Sequence, residues 1–243
     1  MLEYVYVGDI RIPSYGMIIL VGLVICNMVA QILIGRDTNE YKEYLILEVG
    51  AGIGAIIGAR LLSILEKIVI ENITISSIKD GGYSYYGGLA GFFCVAALIC
   101  KIRRLDTVRY SKKYIFLLPL LQFFWKIGCF MGGCCFGIPY SGAFSIIYPH
   151  GVNELAGINV FPTPLLEAVI SIIIMCIMVV ASRRINTNYD LMYLLLYSIS
   201  RFFIEYLRYH DSKLMLSMGQ VYSLICGSIC IAFIIYRRRR AKQ

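Results

Sequence analysis

Residues 12–35 read IPSYGMIILVGLVICNMVAQILIG, without one charged side chain. A helix of roughly 20 apolar residues crosses the hydrocarbon core of a bilayer. Residues 214–236, LMLSMGQVYSLICGSICIAFIIY, are a second uncharged run of that length. Between them, weaker apolar segments are found at 44–65, 83–100, 114–130, 163–182 and 190–207. The expected fold is an all-α integral membrane protein, a seven-helix bundle forming one membrane domain over residues 1–243. The long segment 131–162 is expected as an outer loop or re-entrant region, and 237–243 as a basic tail.

Composition agrees with that reading. Of the 243 residues, 59% are hydrophobic and 16% charged, with a mean hydropathy of +0.73. Soluble domains average about 45–50% apolar and about 25% charged, so a soluble domain is excluded. Low-complexity and heptad stretches are absent, which excludes disorder, collagen and coiled coil. The start carries Glu3, Asp9 and Arg11 rather than a basic leader, and no cleavable signal peptide is expected.

The net charge of +8 raises a nucleic-acid reading, and its placement argues against one. Basic residues flank the apolar spans, as they do in cytoplasmic loops, instead of covering one solvated face among aromatic platforms. Alternate loops carry them unequally. Arg36, Lys42, the run from Lys101 to Lys113, Arg183, Arg184 and the tail hold fifteen; the other set, including Arg208, holds five. The side richer in Lys and Arg is cytoplasmic, so the N-terminus is expected outside and the C-terminus inside.

Three basic residues, Arg60, Lys126 and Arg201, fall within the apolar segments, all expected in the outer half of the bilayer. A charge there costs several kcal/mol unless it is paired or faces a polar cavity, and it marks a functional site by default. Glu167 and Glu205 are possible counter-charges, and Arg201 and Glu205 share a helical face at a spacing of four. One reading makes these structural ion pairs. The favoured one makes Lys126 and Arg201 cations for a phospholipid phosphate. Gly50, Gly52, Gly54 and Gly58 suit close helix packing. Gly81-Gly82-Tyr83-Ser84-Tyr85-Tyr86-Gly87-Gly88 would let backbone approach a ligand beside tyrosine hydroxyls. Cys129, Cys134 and Cys135 are the only cluster among nine cysteines. Packing, a disulfide, a redox or zinc site and a carrier thiol all stay open, though three sulfurs without a histidine make a poor zinc set. No metal or cofactor is expected.

Seven elements, in order, resemble the prolipoprotein diacylglyceryl transferase family. Ile12-Pro13-Ser14-Tyr15-Gly16 resembles its early Tyr-Gly element, and Gly58-Ala59-Arg60-Leu61 its Gly-x-Arg-Leu stretch. Gly81 to Gly88 is similar to a Gly-Gly…His-Gly-Gly turn, with Tyr86 at the histidine. Trp125-Lys126-Ile127-Gly128-Cys129-Phe130 occupies the place of Gly-Arg-Ile-Gly-Asn-Phe. Phe161 to Ala168 is like His-Pro-Thr-Gln-Leu-Tyr-Glu-Ala, with Pro164 and Leu166 at the Gln and Tyr. Tyr197, Arg201, Phe202 and Glu205 resemble the late Tyr-x-x-x-Arg motif, and Leu216-Ser217-Met218-Gly219-Gln220 keeps Leu-Ser-Met-Gly-Gln intact.

The resemblance implies a bacterial cytoplasmic-membrane enzyme with its site toward the outer leaflet, acting as a monomer. It moves diacylglycerol from phosphatidylglycerol to the lipobox cysteine thiol of a preprolipoprotein signal peptide, releasing glycerol phosphate. Arg201 and Lys126 are expected to hold the leaving phosphate. The base is Tyr86 or Tyr197, or Glu205, unless the cationic field alone activates the thiol. His150 and His210 read as ordinary loop histidines. Tyr15, Arg60, Gly87, Gly88, Cys129, Glu167, Glu205 and Gly219 are the expected substrate-binding residues. The changes at Tyr86, Lys126 and Cys129 keep two alternatives open: a paralogue with another acceptor, and a non-catalytic lipid-binding protein.

Overall fold

Pro13 ends a strand and Ser14 begins the first long helix. In the computed structural model, which describes residues 4–7, 10–35, 37–70, 82–149, 155, 157–184, 188–209 and 216–240, the chain opens with a hairpin. Its strands β1 (Tyr4–Val7) and β2 (Ile10–Pro13) pair antiparallel, Tyr4 facing Pro13. The uncharged run follows as α1 (Ser14–Ile34). Then come α2 (Thr38–Ile70), α3 (Tyr85–Arg103), α4 (Thr107–Tyr114), α5 (Leu117–Met131), α6 (Thr163–Arg184), α7 (Tyr189–Ile204) and α8 (Met218–Arg240).

Helices α1, α2, α3, α6 and α8 are long and apolar enough to cross a membrane. The pair α4 and α5, bent by 47° at its break, is a candidate sixth span. Many of their large apolar side chains point outward (Ile32 is 79% exposed, Leu20 62%), as suits a lipid solvent. The chain is therefore an all-α membrane protein. The seventh expected segment, 190–207, is helical over the 16 residues of α7 and finishes in a 3-10 turn, Glu205–Leu207. At 1.5 Å per residue α7 is about 24 Å long, short of the roughly 20 residues of a full crossing.

Two compact units divide the chain: Gln31–Tyr110, and Met1–Ala30 with Ser111–Gln243. In the Gln31–Tyr110 unit, α2 and α3 pack almost backbone to backbone. A Cβ on Gly91 would lie 2.1 Å from the Gly54 carbonyl oxygen, and one on Gly58 2.3 Å from that of Gly87. Gly50 likewise leaves room for Ile99, whereas Gly52 has nothing within 4 Å. Small residues here allow the close approach that drives helix association in lipid. We expect Gly91→Ala to destabilise this packing by about 1–3 kcal/mol, seen as a lower melting temperature in detergent. An unchanged melt contradicts the close packing. Polar ends are closed by aspartates: the Asp37 carboxylate accepts from the Asn39 and Glu40 amides, and Asp106 from those of Val108 and Arg109.

In the other unit α6 packs on α5 and on α7, and α7 packs on α8. Gly22 of α1 meets Phe124 of α5. The segment after α5 is a folded cap. Strands β3 (Ile146–Ile147) and β4 (Asn159–Val160) pair antiparallel. Ile138 N donates to the Leu207 carbonyl and Tyr209 N to that of Phe136. Tyr148, Leu155 and Val160 form its small core, flanked by Phe136, Ile146 and Tyr209. His150, His210, Gly81 and the loop cations Arg36, Lys79 and Lys213 lie outside the described residues.

Candidate functional site

Three helices bring four buried charges together. Lys126 on α5, Glu167 on α6, and Arg201 on α7 with Glu205 just beyond it are each 7% exposed or less. Lys126 Nζ lies 2.6 Å from Glu167 Oε2, and Arg201 Nη1 lies 3.0 Å from Glu167 Oε1. The other arm of the guanidinium, Nη2, reaches Glu205 Oε2 at 2.9 Å, one turn along the same helix. Glu167 is thus the hub: one carboxylate shared by two cations from different helices.

The counter-charges expected at Glu167 and Glu205 are the ones these cations meet. Lys126 and Arg201 do converge, and they converge on a carboxylate. Burying two positive charges in a medium that solvates them poorly requires paired partners with hydrogen bonds; Glu167 and Glu205 supply them. The i, i+4 pairing of Arg201 with Glu205 follows the helical spacing. The four charges cancel, which keeps the cluster affordable in the interior while leaving two cations fixed in place.

The Leu-Ser-Met-Gly-Gln stretch has a definite job beside this network. Ser217 caps α8: its Oγ accepts from the Gln220 amide at 3.2 Å, and Gln220 Oε1 accepts from the Ser217 amide at 3.0 Å. This is a reciprocal capping box of the S-x-x-Q type. The same Ser217 Oγ donates to Glu205 Oε1 at 3.0 Å. Gly219 presses against that carboxylate, since a Cβ there would lie 2.4 Å from Glu205 Oε1. Glu205 is held from both sides, so Gly219→Ala should push it off Arg201. A misplacement of about 1 Å near the chemistry costs about 10²-fold in rate, and we expect a loss of that order in transfer rate without loss of helical circular dichroism. Full activity would show that Glu205's position is irrelevant.

Around the network, Tyr197 is buried one turn before Arg201 and stacks on Tyr193 with ring centroids 6.1 Å apart. The Tyr193 hydroxyl in turn donates to Gln122 Oε1 at 3.0 Å. Tyr15 lies edge-on to Trp125 and leans on Gly128, where a Cβ would come 3.2 Å from its ring. That glycine lets the Tyr15 ring reach α5 between Lys126 and Cys129.

Arg60, Tyr86, Gly87 and Gly88 belong to the Gln31–Tyr110 unit. Arg60 Nη1 donates to the Gly82 carbonyl at 3.1 Å and its guanidinium lies 5.9 Å from the centre of the Tyr83 ring. Ser84 N donates to the Ala59 carbonyl, and Ser84 Oγ to Glu66. These bonds stitch residues 82–84 to α2. Tyr86 packs edge-on against Tyr85. Gly87 and Gly88 face α2, Gly87 against Gly58 and Leu62, Gly88 against Ala55 and Ala59.

Sequence reasoning passed over Arg208, which counted only as a loop cation. Its Nη2 donates to Cys135 Sγ at 3.1 Å. Cys129, Cys134 and Cys135 gather there with their sulfurs within 4.8 Å of one another. All nine cysteines are free thiols, so the disulfide weighed for this cluster is not formed. Hydrogen bonds from the Cys129 and Cys134 thiols, together with the charge of Arg208, hold the Cys135 thiol well below its ordinary value. Burial, and the sulfurs beside it, push the Tyr148 hydroxyl up.

A family model described as prolipoprotein diacylglyceryl transferase matches residues 3–236. Among curated relatives, the phosphatidylglycerol–prolipoprotein diacylglyceryl transferase of Clostridium tetani is 26% identical over 245 residues, 96% of each chain. That of Staphylococcus haemolyticus is 30% identical over 246 residues, 96% of this chain and 86% of the relative. The first of two from Clostridium perfringens is 26% identical over 252 residues, 98% of this chain and 95% of the relative.

Proposed function

The chain belongs to the prolipoprotein diacylglyceryl transferase family, and from that premise we propose that it transfers diacylglycerol from phosphatidylglycerol to the lipobox cysteine of a prolipoprotein. The observation that carries the proposal is the convergence of Lys126 and Arg201 on Glu167. The acceptor thiolate attacks the glyceryl carbon, the carbon–oxygen bond to phosphate breaks, and glycerol phosphate leaves with the electron pair. Negative charge grows on that oxygen. Fixed, desolvated cations aimed at it stabilise the transition state more than mobile ones in water, because they need no reorganisation.

Arg201 is the principal phosphate ligand in this scheme and Lys126 the second. Lysine presents a point charge in place of the bidentate fork of arginine, so Arg201 carries the geometric selectivity. Glu167 and Glu205 position the two cations. Tyr197, next to Arg201, is the base for the acceptor thiol, with Tyr86 as the alternative. Tyr15 and Cys129 border the lipid head group, with Gly219 fixing Glu205. Arg60, Gly87 and Gly88 are proposed as substrate-binding residues. The chain functions as a single multi-pass membrane domain, a monomer in a bacterial cytoplasmic membrane, without a nucleic-acid partner. Its N-terminus and the site face outward, with the bent α4–α5 pair and α7, carried on by the 3-10 turn Glu205–Leu207, completing seven crossings.

Complementation tests the reading. Expressed in a strain depleted of its own diacylglyceryl transferase, the chain should restore growth and the mass of a diacylglyceryl group on a model lipoprotein. Good membrane expression without lipidation would refute it and favour a paralogue with another acceptor, or a lipid-binding protein without chemistry.

A further inference from the structure

The geometry of Cys129, Cys134, Cys135, Arg208 and Tyr148 points to a second site, and we propose that the three sulfurs bind one monovalent copper ion in trigonal coordination. Among the described residues this is the only group of three cysteine, histidine or acidic side chains placed to share a metal. Soft thiolates select soft metals, copper(I) and zinc foremost. A structural zinc site takes four protein ligands in a tetrahedron, and three sulfurs alone do not meet that demand. Copper(I) accepts three.

The spacing fits. Sulfurs about 2.3 Å from a common centre, a usual metal–thiolate length, stand roughly 4 Å apart in a trigonal plane. The three here lie within 4.8 Å, so small side-chain rotations close the set. The backbone already directs them inward. Cys134 N donates to the Cys129 carbonyl at 3.0 Å, folding the chain back beyond α5. Gly133 and Cys135 both adopt left-handed conformations, with φ of 66° and 59°. A left-handed cysteine is uncommon, and here the conformation aims Cys135 toward Cys129.

Two further groups point to a ligand. Arg208 Nη2 donates to Cys135 Sγ at 3.1 Å, an outer partner of the kind that orients ligands and tunes a metal. Its positive charge offsets part of the negative charge of a copper trithiolate. Tyr148 is wholly buried, and its hydroxyl makes no hydrogen bond among the described residues. Its ring packs on Phe136, the residue after Cys135, with centroids 6.1 Å apart. Copper binding converts thiols to thiolates and releases their protons, with no change in oxidation state.

The test uses the whole protein, purified in detergent under reducing, anaerobic conditions and titrated with copper(I) against a chromogenic chelator. One equivalent should be retained, with ultraviolet sulfur-to-copper charge transfer. Cys134→Ser and Cys135→Ser should each abolish that band. Arg208→Ala should weaken binding about 10–100-fold. Cys226→Ser with Cys230→Ser, altering the cysteine pair on α8, should retain it. Zinc(II) should compete poorly. Should a serine variant fail to insert, alkylation of exposed Cys134 in the wild-type protein must block uptake instead. No retained copper, retention indifferent to Cys134 and Cys135, or tighter zinc than copper would each overturn the proposal. The measurement uses no lipid, so it stands or falls apart from the transferase reading.

Discussion

Arg201→Ala should reduce diacylglyceryl transfer by at least about 10²–10³-fold, the usual cost of removing one group that stabilises a developing anion. The guanidinium does two things at once. It joins Glu167 to Glu205 through separate nitrogens, and in the proposed reaction it faces the leaving phosphate. Alanine removes both and leaves two buried carboxylates without their shared cation. Breaking a buried pair in this way costs about 3–5 kcal/mol, so lost activity alone would not separate chemistry from collapse. Arg201→Lys makes the separation. Lysine restores one positive charge but cannot hold both carboxylates in a fork. Transfer by Arg201→Lys should exceed that of Arg201→Ala while staying far below wild type, with a melting temperature between the two. Equal activity in Lys and wild type would remove the fork from the mechanism. Measurable lipidation by a folded Arg201→Ala protein would remove Arg201 itself.

Glu167→Ala should be the most destabilising single change in the chain. Glu167 is 2% exposed and pairs with Lys126 and Arg201 together, so its loss strands Lys126 in the interior and leaves Arg201 to Glu205 alone. An expected cost of about 3–5 kcal/mol follows from that one uncompensated buried charge. The expected readout is a lower melting temperature in detergent and poor recovery from the membrane. Glu167→Gln keeps the volume and one acceptor oxygen, so it should recover part of the stability and little of the transfer. The double change Lys126→Met with Glu167→Gln tests the logic from the other side. With one cation gone the remaining charge on Arg201 is met by Glu205, and the double variant should melt above Glu167→Ala. A Glu167→Ala protein as stable as wild type would show that the network is not paired in the folded protein.

Much of the architecture was legible because lipid imposes a simple rule. An uncharged run must be buried in apolar surroundings with its backbone satisfied internally, and of the run 12–35, Ser14–Ile34 form α1. Elsewhere the apolar boundary and the helix boundary are different things. Helix α2 begins at Thr38, six residues before the apolar segment, because Asp37 caps it and a polar turn is helical in water as well as in lipid. Apolarity says nothing about the break between α4 and α5, where the basic pair Lys112-Lys113 precedes the bend.

The site was half legible for a related reason. Buried charge is conspicuous in an apolar chain, so Lys126, Glu167, Arg201 and Glu205 announce themselves. Which charge meets which is a matter of packing. The Arg201–Glu205 pair follows from helix geometry, whereas Lys126 and Glu167 are brought together only by α5 packing on α6. The Ser217–Gln220 capping box was readable as S-x-x-Q before an apolar run and went unread. Arg208 left no such trace, because its partner Cys135 is far away in sequence and only the folded cap brings the two together.

The most direct measurement takes the purified protein in vesicles of phosphatidylglycerol labelled in the glycerol head group, with a lipobox peptide as acceptor. Lipidated peptide and soluble glycerol phosphate should appear in equal amounts, and neither should form with Arg201→Ala or when the peptide's cysteine is replaced by serine. Head group released without peptide lipidation, or no turnover from a well-folded wild-type protein, would contradict the assignment of Lys126 and Arg201 to a transferase site.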